Sequence, residues 1–272
     1  MSARTTIATT LGILAAALAV AAAGGGSSAK ASAAGTGATC DLPQGSERVN
    51  LNPADFTIRI DNPYWPMRPG SRWIYRETDP EGTKQRVVVT VTAKTKLIAN
   101  GITARVVHDV VTEDGKPVEV TDDWYAQDRC GNIWYLGEAT AEYENGKVVS
   151  TGGSFEAGVD GAQAGVIMPA KPREGMRYRQ EYYAGEAEDR ASILSLREQV
   201  EVPLGHFTNA LMTQDTNPLE PKVLEFKFYA RDVGPVLAVA VSGGSDRERG
   251  CEDPQGGCDR RSGAHLCSSR TE

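Results

Sequence analysis

Between Gln85 and Thr92 the valines Val87, Val89 and Val91 fall on every second residue, the two-residue period of a strand with one buried face. Arg105 to Thr112 and Val118 to Gln127 flank Asp114-Gly115, and Asp-Gly between two such runs predicts a two-residue hairpin turn. A second hairpin is predicted at Asn145-Gly146, and a third turn through Arg129 to Asn132. Gly152 to Gly165 is glycine-rich and has no alternation, which predicts a linker or a loop across one end of the fold. Only Glu186 to Arg197 is ambiguous, because its Ala and Leu spacing suits a helix as well as a strand. Short runs rich in Val, Thr and Tyr, joined by glycine turns, predict an all-β antiparallel protein.

The pattern occurs twice. Pro66-Met-Arg-Pro-Gly-Ser-Arg-Trp-Ile-Tyr75 has a counterpart in Pro169-Ala-Lys-Pro-Arg-Glu-Gly-Met-Arg-Tyr178, and Trp124-Tyr-Ala-Gln-Asp128 in Phe228-Tyr-Ala-Arg-Asp232. Gly70, Gly101 and Tyr125 are spaced to within one residue of Gly175, Gly205 and Tyr229. Two tandem β-meander units, about 55–145 and 160–245, are therefore expected within one domain spanning 41–245. Neither unit has apolar surface enough for a core of its own, so the two should pack into a barrel-like or two-sheet architecture. An architecture of this kind can enclose a small ligand, although fold alone does not establish function.

Hairpin pairing from Asp114-Gly115 sets Val111 opposite Val118, Asp109 opposite Val120 and Val107 opposite Asp122. Asp109 and Asp122 then become diagonal neighbours on an apolar face that includes Trp124, a pairing suited to acid and base work or to holding a cation. An ion pair between Asp109 and a nearby arginine accounts for the same residues structurally. The opposite face carries His108 beside Asp123, but no serine sits in a Gly-x-Ser-x-Gly turn, so a triad hydrolase is not indicated.

All four tryptophans, Trp65, Trp73, Trp124 and Trp134, lie in the first unit together with Tyr125. Aromatics on strands usually build core; here Trp73, Trp124, Trp134 and Tyr125 are also the candidates for lining a ligand pocket. The loop Asp128-Arg-Cys-Gly-Asn132 has oxygen ligands but lacks the alternating acids of a calcium loop, and Asx-turn chemistry explains it equally well.

The chain has 272 residues, 36 acidic against 29 basic groups and a formal charge of -7, with no basic stripe to neutralise phosphates, which argues against a nucleic-acid partner. Arg4, then the apolar run Leu11 to Ala23, then small residues through Ala34 read as a secretory signal and short linker over residues 1–40. That run falls short of the roughly 20 residues a membrane-spanning helix needs, so no transmembrane anchor is expected. Outside the cytoplasm paired cysteines form disulfides by default, and a bridge from Cys40 to Cys130, clipping the N-terminal arm onto the turn, is the expected pairing among five cysteines. Cys251, Cys258, His265 and Cys267 fall in a tail (246–272) with almost nothing to bury, and lack the close cysteine pairs of a zinc site. Neither a metal nor another cofactor is expected.

The segments Asn62-Pro-Tyr-Trp-Pro-Met-Arg-Pro-Gly-Ser-Arg-Trp73, Trp124-Tyr-Ala-Gln-Asp128 and Glu142-Tyr-Glu-Asn-Gly-Lys-Val-Val-Ser150 resemble a group of secreted bacterial β-rich proteins to which no activity attaches. The resemblance covers roughly residues 50–245 and stops before the tail. Together these features predict a secreted, extracellular, monomeric and non-catalytic β protein that binds a small apolar or sugar-like ligand, such as a glycan. The alternatives are an extracellular hydrolase or lyase working through carboxylates, and a cell-envelope module that contacts a partner protein.

Overall fold

The structure, a computed structural model, describes residues 40–78 and 82–241. The expected signal segment and the cysteine-containing tail lie outside the described residues. After a single 3-10 turn at Pro53–Asp55 the described chain is built of strands, β1 Phe56–Thr57, β2 Arg72–Thr78, β3 Lys84–Leu97, β4 Thr103–Glu113, β5 Lys116–Asp128, β6 Ile133–Glu144, β7 Lys147–Ser150 and β8 Phe155–Glu156. They continue with β9 Gln163–Met168, β10 Arg177–Arg179, β11 Glu181–Tyr182, β12 Arg190–Val202, β13 Gly205–Thr216, β14 Leu224–Ala230 and β15 Gly234–Ala240.

The fold is all-β and antiparallel. A ten-stranded, half-barrel sheet runs in the order β11-β9-β6-β5-β4-β3-β2, with β1 added to β5 and both β7 and β8 to β6. A five-stranded sheet runs β10-β12-β13-β14-β15 and faces it. The segment open to a helical reading is strand β12, and the stretch expected to be a linker instead contributes β8 and the start of β9, both paired to β6.

Local chemistry sets the turns. Asp114 and Gly115 have φ of 47° and 77°, Asn145 and Gly146 of 52° and 75°, the left-handed pair that two-residue hairpins require. Before β2 and β10 the chain makes the same set of bonds. Gly70 N donates to Val91 O, Ser71 N to Arg68 O and Val91 N to Ser71 O; Gly175 N donates to Ile193 O, Met176 N to Arg173 O and Ile193 N to Met176 O.

The main apolar cluster draws on both sheets, from Val87, Val89 and Val91 through Tyr125 and Leu136 to Ile193, Leu211 and Tyr229. A smaller cluster, Val200, Ala210, Ala230 and Val236, closes the far part of the second sheet.

Cys40 and Cys130 are joined by a disulfide, Cα to Cα 6.2 Å, across a sequence separation of 90. It pins the arm over residues 40–51, which then reaches the second sheet: Arg179 N donates to Pro43 O (2.6 Å), and Gln44 Nε2 to Arg177 O (2.8 Å). The Arg179 side chain, 1% exposed, donates to the carbonyls of Gly45, Glu47 and Ala164. Replacing both cysteines by serine is expected to lower the unfolding free energy by about 2–5 kcal/mol, read from urea unfolding of native protein and variant.

Candidate functional site

Period-two alternation aims one set of side chains from each sheet into the space between the sheets, and that set is strongly polar. From the first sheet come Tyr75 and Glu77 on β2, Asp109 on β4, Glu119, Asp123 and Tyr125 on β5, and Tyr135 and Glu138 on β6. Tyr178, Glu181 and Asp189, with Thr213 and Asp215 on β13 and Glu225, Lys227 and Tyr229 on β14, complete the lining. Tyr135 and Glu138 are three residues apart yet act together, because the β5–β6 ladder shifts register between Asp123 and Tyr125.

Asp109 and Asp122 do not share a face, contrary to the hairpin register expected from the sequence. The β4–β5 ladder starts as predicted, with Glu113 opposite Lys116, and then shifts so that Val111 meets Glu119, Asp109 meets Thr121 and Val107 meets Asp123. Pro117, which has no N–H to give the ladder, sits at that shift. The slip turns Asp122 outward, where its Oδ1 lies 2.7 Å from His108 Nδ1, and turns Asp123 inward beside Asp109. It therefore also undoes the expected pairing of His108 with Asp123.

The aromatic candidates divide in the same way. Trp73 and Tyr125 line a narrow cleft between the sheets together with Trp65, Tyr75, Asp109, Asp123 and Pro235. Trp124 and Trp134 do not reach it. Trp124 lies under Lys96, whose Nζ is 4.3 Å from the ring centroid, and Trp134 packs edge-on against Phe56 while its Nε1 donates to Asp128 Oδ2 at 2.8 Å. Asp128 also accepts from Cys130 N, Asn132 N and Asn132 Nδ2, so turn chemistry accounts for this loop. Among the described residues no group of three or more His, Cys, Asp or Glu is arranged to hold a metal ion.

The cleft closes at its mouth through two bonds from the edge strand β2. Trp73 Nε1 donates to Val233 O (2.8 Å) and Tyr75 OH to Pro235 O (2.9 Å). Inside, Tyr125 stacks on Tyr135 with centroids 4.9 Å apart, and Trp65 bridges Tyr125 and Tyr229 at 5.8 and 5.9 Å. The remaining space is about 10 Å³, the room of about one water. Of the residues around this narrow cleft, Trp65 and Asp109 each hold a buried atom without a hydrogen-bond partner, the donor Nε1 and the acceptor Oδ1; deeper in the interior Tyr178 OH, Thr213 Oγ1 and carboxyl oxygens of Glu77, Glu181, Asp189, Asp215 and Glu225 are in the same condition.

Burial dominates the electrostatics. It pushes Asp109 up to about 7, with the Glu119 charge adding to it, and Asp123 up to about 7, with Asp109 adding and hydrogen bonds from Tyr135 and Tyr125 opposing. Glu77 is pushed up to about 8 by burial and by Asp109 and Glu225. Burial likewise holds Glu138, Glu181 and Asp189 well above the usual carboxylate range. The cation among them is Lys227, whose Nζ lies 3.1 Å from Asp215 Oδ2 and 3.0 Å from Glu225 Oε2. Burial would lower its pKa, but the two carboxylates outweigh burial and raise it.

Fold and interior together define a class: an antiparallel two-sheet protein whose sheets enclose carboxyl and tyrosine side chains around one lysine. No family model matches the chain, and no curated protein matches it. Among solved structures, that of a candidate lipoprotein from Parabacteroides distasonis ATCC 8503 is 12% identical, covering 66% of this chain and 91% of that one, with a TM-score of 0.35. The disulfide is compatible with an extracellular or envelope location, and no helix of the described residues is long and apolar enough to cross a membrane.

Proposed function

We propose that the protein is secreted and non-catalytic, and that it binds a small hydroxyl-bearing, sugar-like ligand in the cleft between its sheets. The observation that carries this reading is the pair of unpartnered buried atoms in an aromatic cleft, the donor Trp65 Nε1 and the acceptor Asp109 Oδ1. A hydroxyl group both accepts and donates, so the hydroxyls of such a ligand suit a donor and an acceptor alike, with Trp73, Tyr75 and Tyr125 offering ring faces beside them. An apolar ligand would leave both atoms without partners, at a cost of about 1–3 kcal/mol for each. A ring-sized ligand enters when the Trp73 and Tyr75 bonds at the mouth open. The matched turns before β2 and β10 support a duplication of the units about 55–145 and 160–245, in which only the first kept the tryptophans and β9 and β11 of the second joined the first sheet.

The test is a thermal-shift screen of the purified protein against neutral saccharides and polyols alongside fatty acids and phospholipids. Saccharide- or polyol-dependent stabilisation is expected, with Asp109→Asn weakening it about tenfold or more while the variant stays folded. Stabilisation by lipids alone, or by nothing in either panel, overturns the reading.

A second reading, an extracellular enzyme acting through carboxylates, is favoured by one observation. Asp109 and Asp123 line the same cleft, and both are pushed to about 7, where a carboxyl can exchange a proton near neutral pH. The pair for that chemistry is Asp109 with Asp123, not Asp122. Turnover of a saccharide that binds, abolished in Asp123→Asn, would favour it over simple binding.

A further inference from the structure

The two sheets are joined differently on their two sides. On one side the chain passes back and forth between them, from β9 to β10, to β11 and on to β12, and the disulfide-anchored arm bonds to β10 through Arg179 and Gln44. On the other side, where β2 edges the first sheet and β15 the second, the connection is made by the Trp73 and Tyr75 bonds to Val233 and Pro235 and by Asp232 N donating to Pro63 O (2.6 Å). That arrangement is a hinge with a clasp opposite.

Acidic groups from both sheets face one another between hinge and clasp. Glu77 comes from β2, Asp109 from β4, Glu119 and Asp123 from β5, Glu138 from β6 and Glu181 from β11; Asp189 just before β12, Asp215 from β13, Glu220 from the turn before β14 and Glu225 from β14 meet them. Tyr75, Tyr125, Tyr135, Tyr178 and Tyr229 are interspersed, and Lys227 is the cation. Arg105 and Arg179, also buried, spend their donors on main-chain carbonyls instead. Geometry alone requires protons here. Tyr135 OH lies 2.8 Å from Asp123 Oδ1 and 2.7 Å from Glu138 Oε2, and a hydroxyl has one proton to donate. Both contacts are hydrogen bonds only when one of the two carboxyls carries a proton of its own.

We propose that this interior is a proton-operated latch: the sheets stay clasped over the cleft while the cluster holds its protons, and part along the β2 and β15 side when it releases them. Ionised carboxylates on opposing sheets repel across a water-poor gap, and parting admits water to solvate them. The inner ladders β4–β5–β6 and β12–β13 hold during the movement, while β2, β14 and β15 on the parting side fray. The latch does not depend on which ligand the cleft takes.

The experiment is hydrogen exchange followed by mass spectrometry at pH 5.5 and pH 8.5, corrected for the intrinsic pH dependence of exchange, on the whole protein without ligand. At the higher pH, protection of 72–78 and 224–240 is expected to fall about tenfold or more beyond any fall over 119–138. In the Asp123→Asn/Glu138→Gln double variant, or in Asp109→Asn should the double variant not fold, the fall should shrink to about threefold or less. Protection unchanged with pH overturns the proposal. So does a loss over 119–138 as large as over 72–78 and 224–240, which would mark general destabilisation, or a fall in the variants as large as in the native protein.

Discussion

Replacing Lys227 by methionine is expected to lower stability at pH 8 by about 3–5 kcal/mol, because it removes the charge that faces Asp215 and Glu225 and leaves buried carboxylates without a counter-ion. Methionine keeps most of the stem volume, so little of the loss is packing. The cost should be smaller at pH 5, where the raised pKa lets Glu225 take a proton more readily and the cluster has less negative charge to compensate. Denaturant melts of native protein and variant at both pH values read the two differences. An equal cost at both would assign the role of Lys227 to packing.

Native stability should itself decline from pH 4 to pH 8.5. The folded pKa of Asp109 and of Asp123 is about 7 against an ordinary 3.8, and that of Glu77 about 8 against 4.5. Folded protein therefore holds protons that unfolded chain has already lost. The stabilisation is complete below about pH 4, shrinks as pH rises, and is gone once pH passes through 7 to 8. A single carboxyl raised from 3.8 to about 7 accounts for about 4 kcal/mol, an upper figure for one buried group because neighbouring sites titrate together. For a domain of this size that corresponds to about 10 °C in Tm. Calorimetry across this range should show Tm falling; a maximum near pH 8 would contradict the protonated interior.

Much of the architecture is legible in the sequence, because β-turn chemistry is local. Asp114-Gly115 and Asn145-Gly146 specify their turns through left-handed backbone, and Cys40 finds Cys130 because few cysteines compete within the folded region. The interior is far less legible. Alternation reveals that two faces exist without saying which is buried, and hydropathy names the wrong one on β14. There Glu225, Lys227 and Tyr229 point inward while Phe226 and Phe228 are only partly covered. Charged residues among phenylalanines read as an outer face unless carboxyls from the other sheet are known to meet them. The slip at Pro117 is a local signal with a long reach: one residue without an N–H exchanges Asp122 for Asp123 at the cleft. Of the aromatics, Trp73 and Tyr125 reach the cleft, whereas Trp124 and Trp134 cover the other side of the sheet, a division that residue type does not encode.

The N-terminal arm links two things that are distant in the fold. A bond between sulfurs on a turn of the first sheet fixes Cys40, and the carbonyls of Gly45 and Glu47 a few residues on receive the guanidinium of Arg179 in the second. Cutting the sulfur bridge frees the arm, and with it the oxygens that keep a buried positive charge solvated. Oxidation in the compartment where the chain matures thus sets how well a charge is housed on the far side of the molecule.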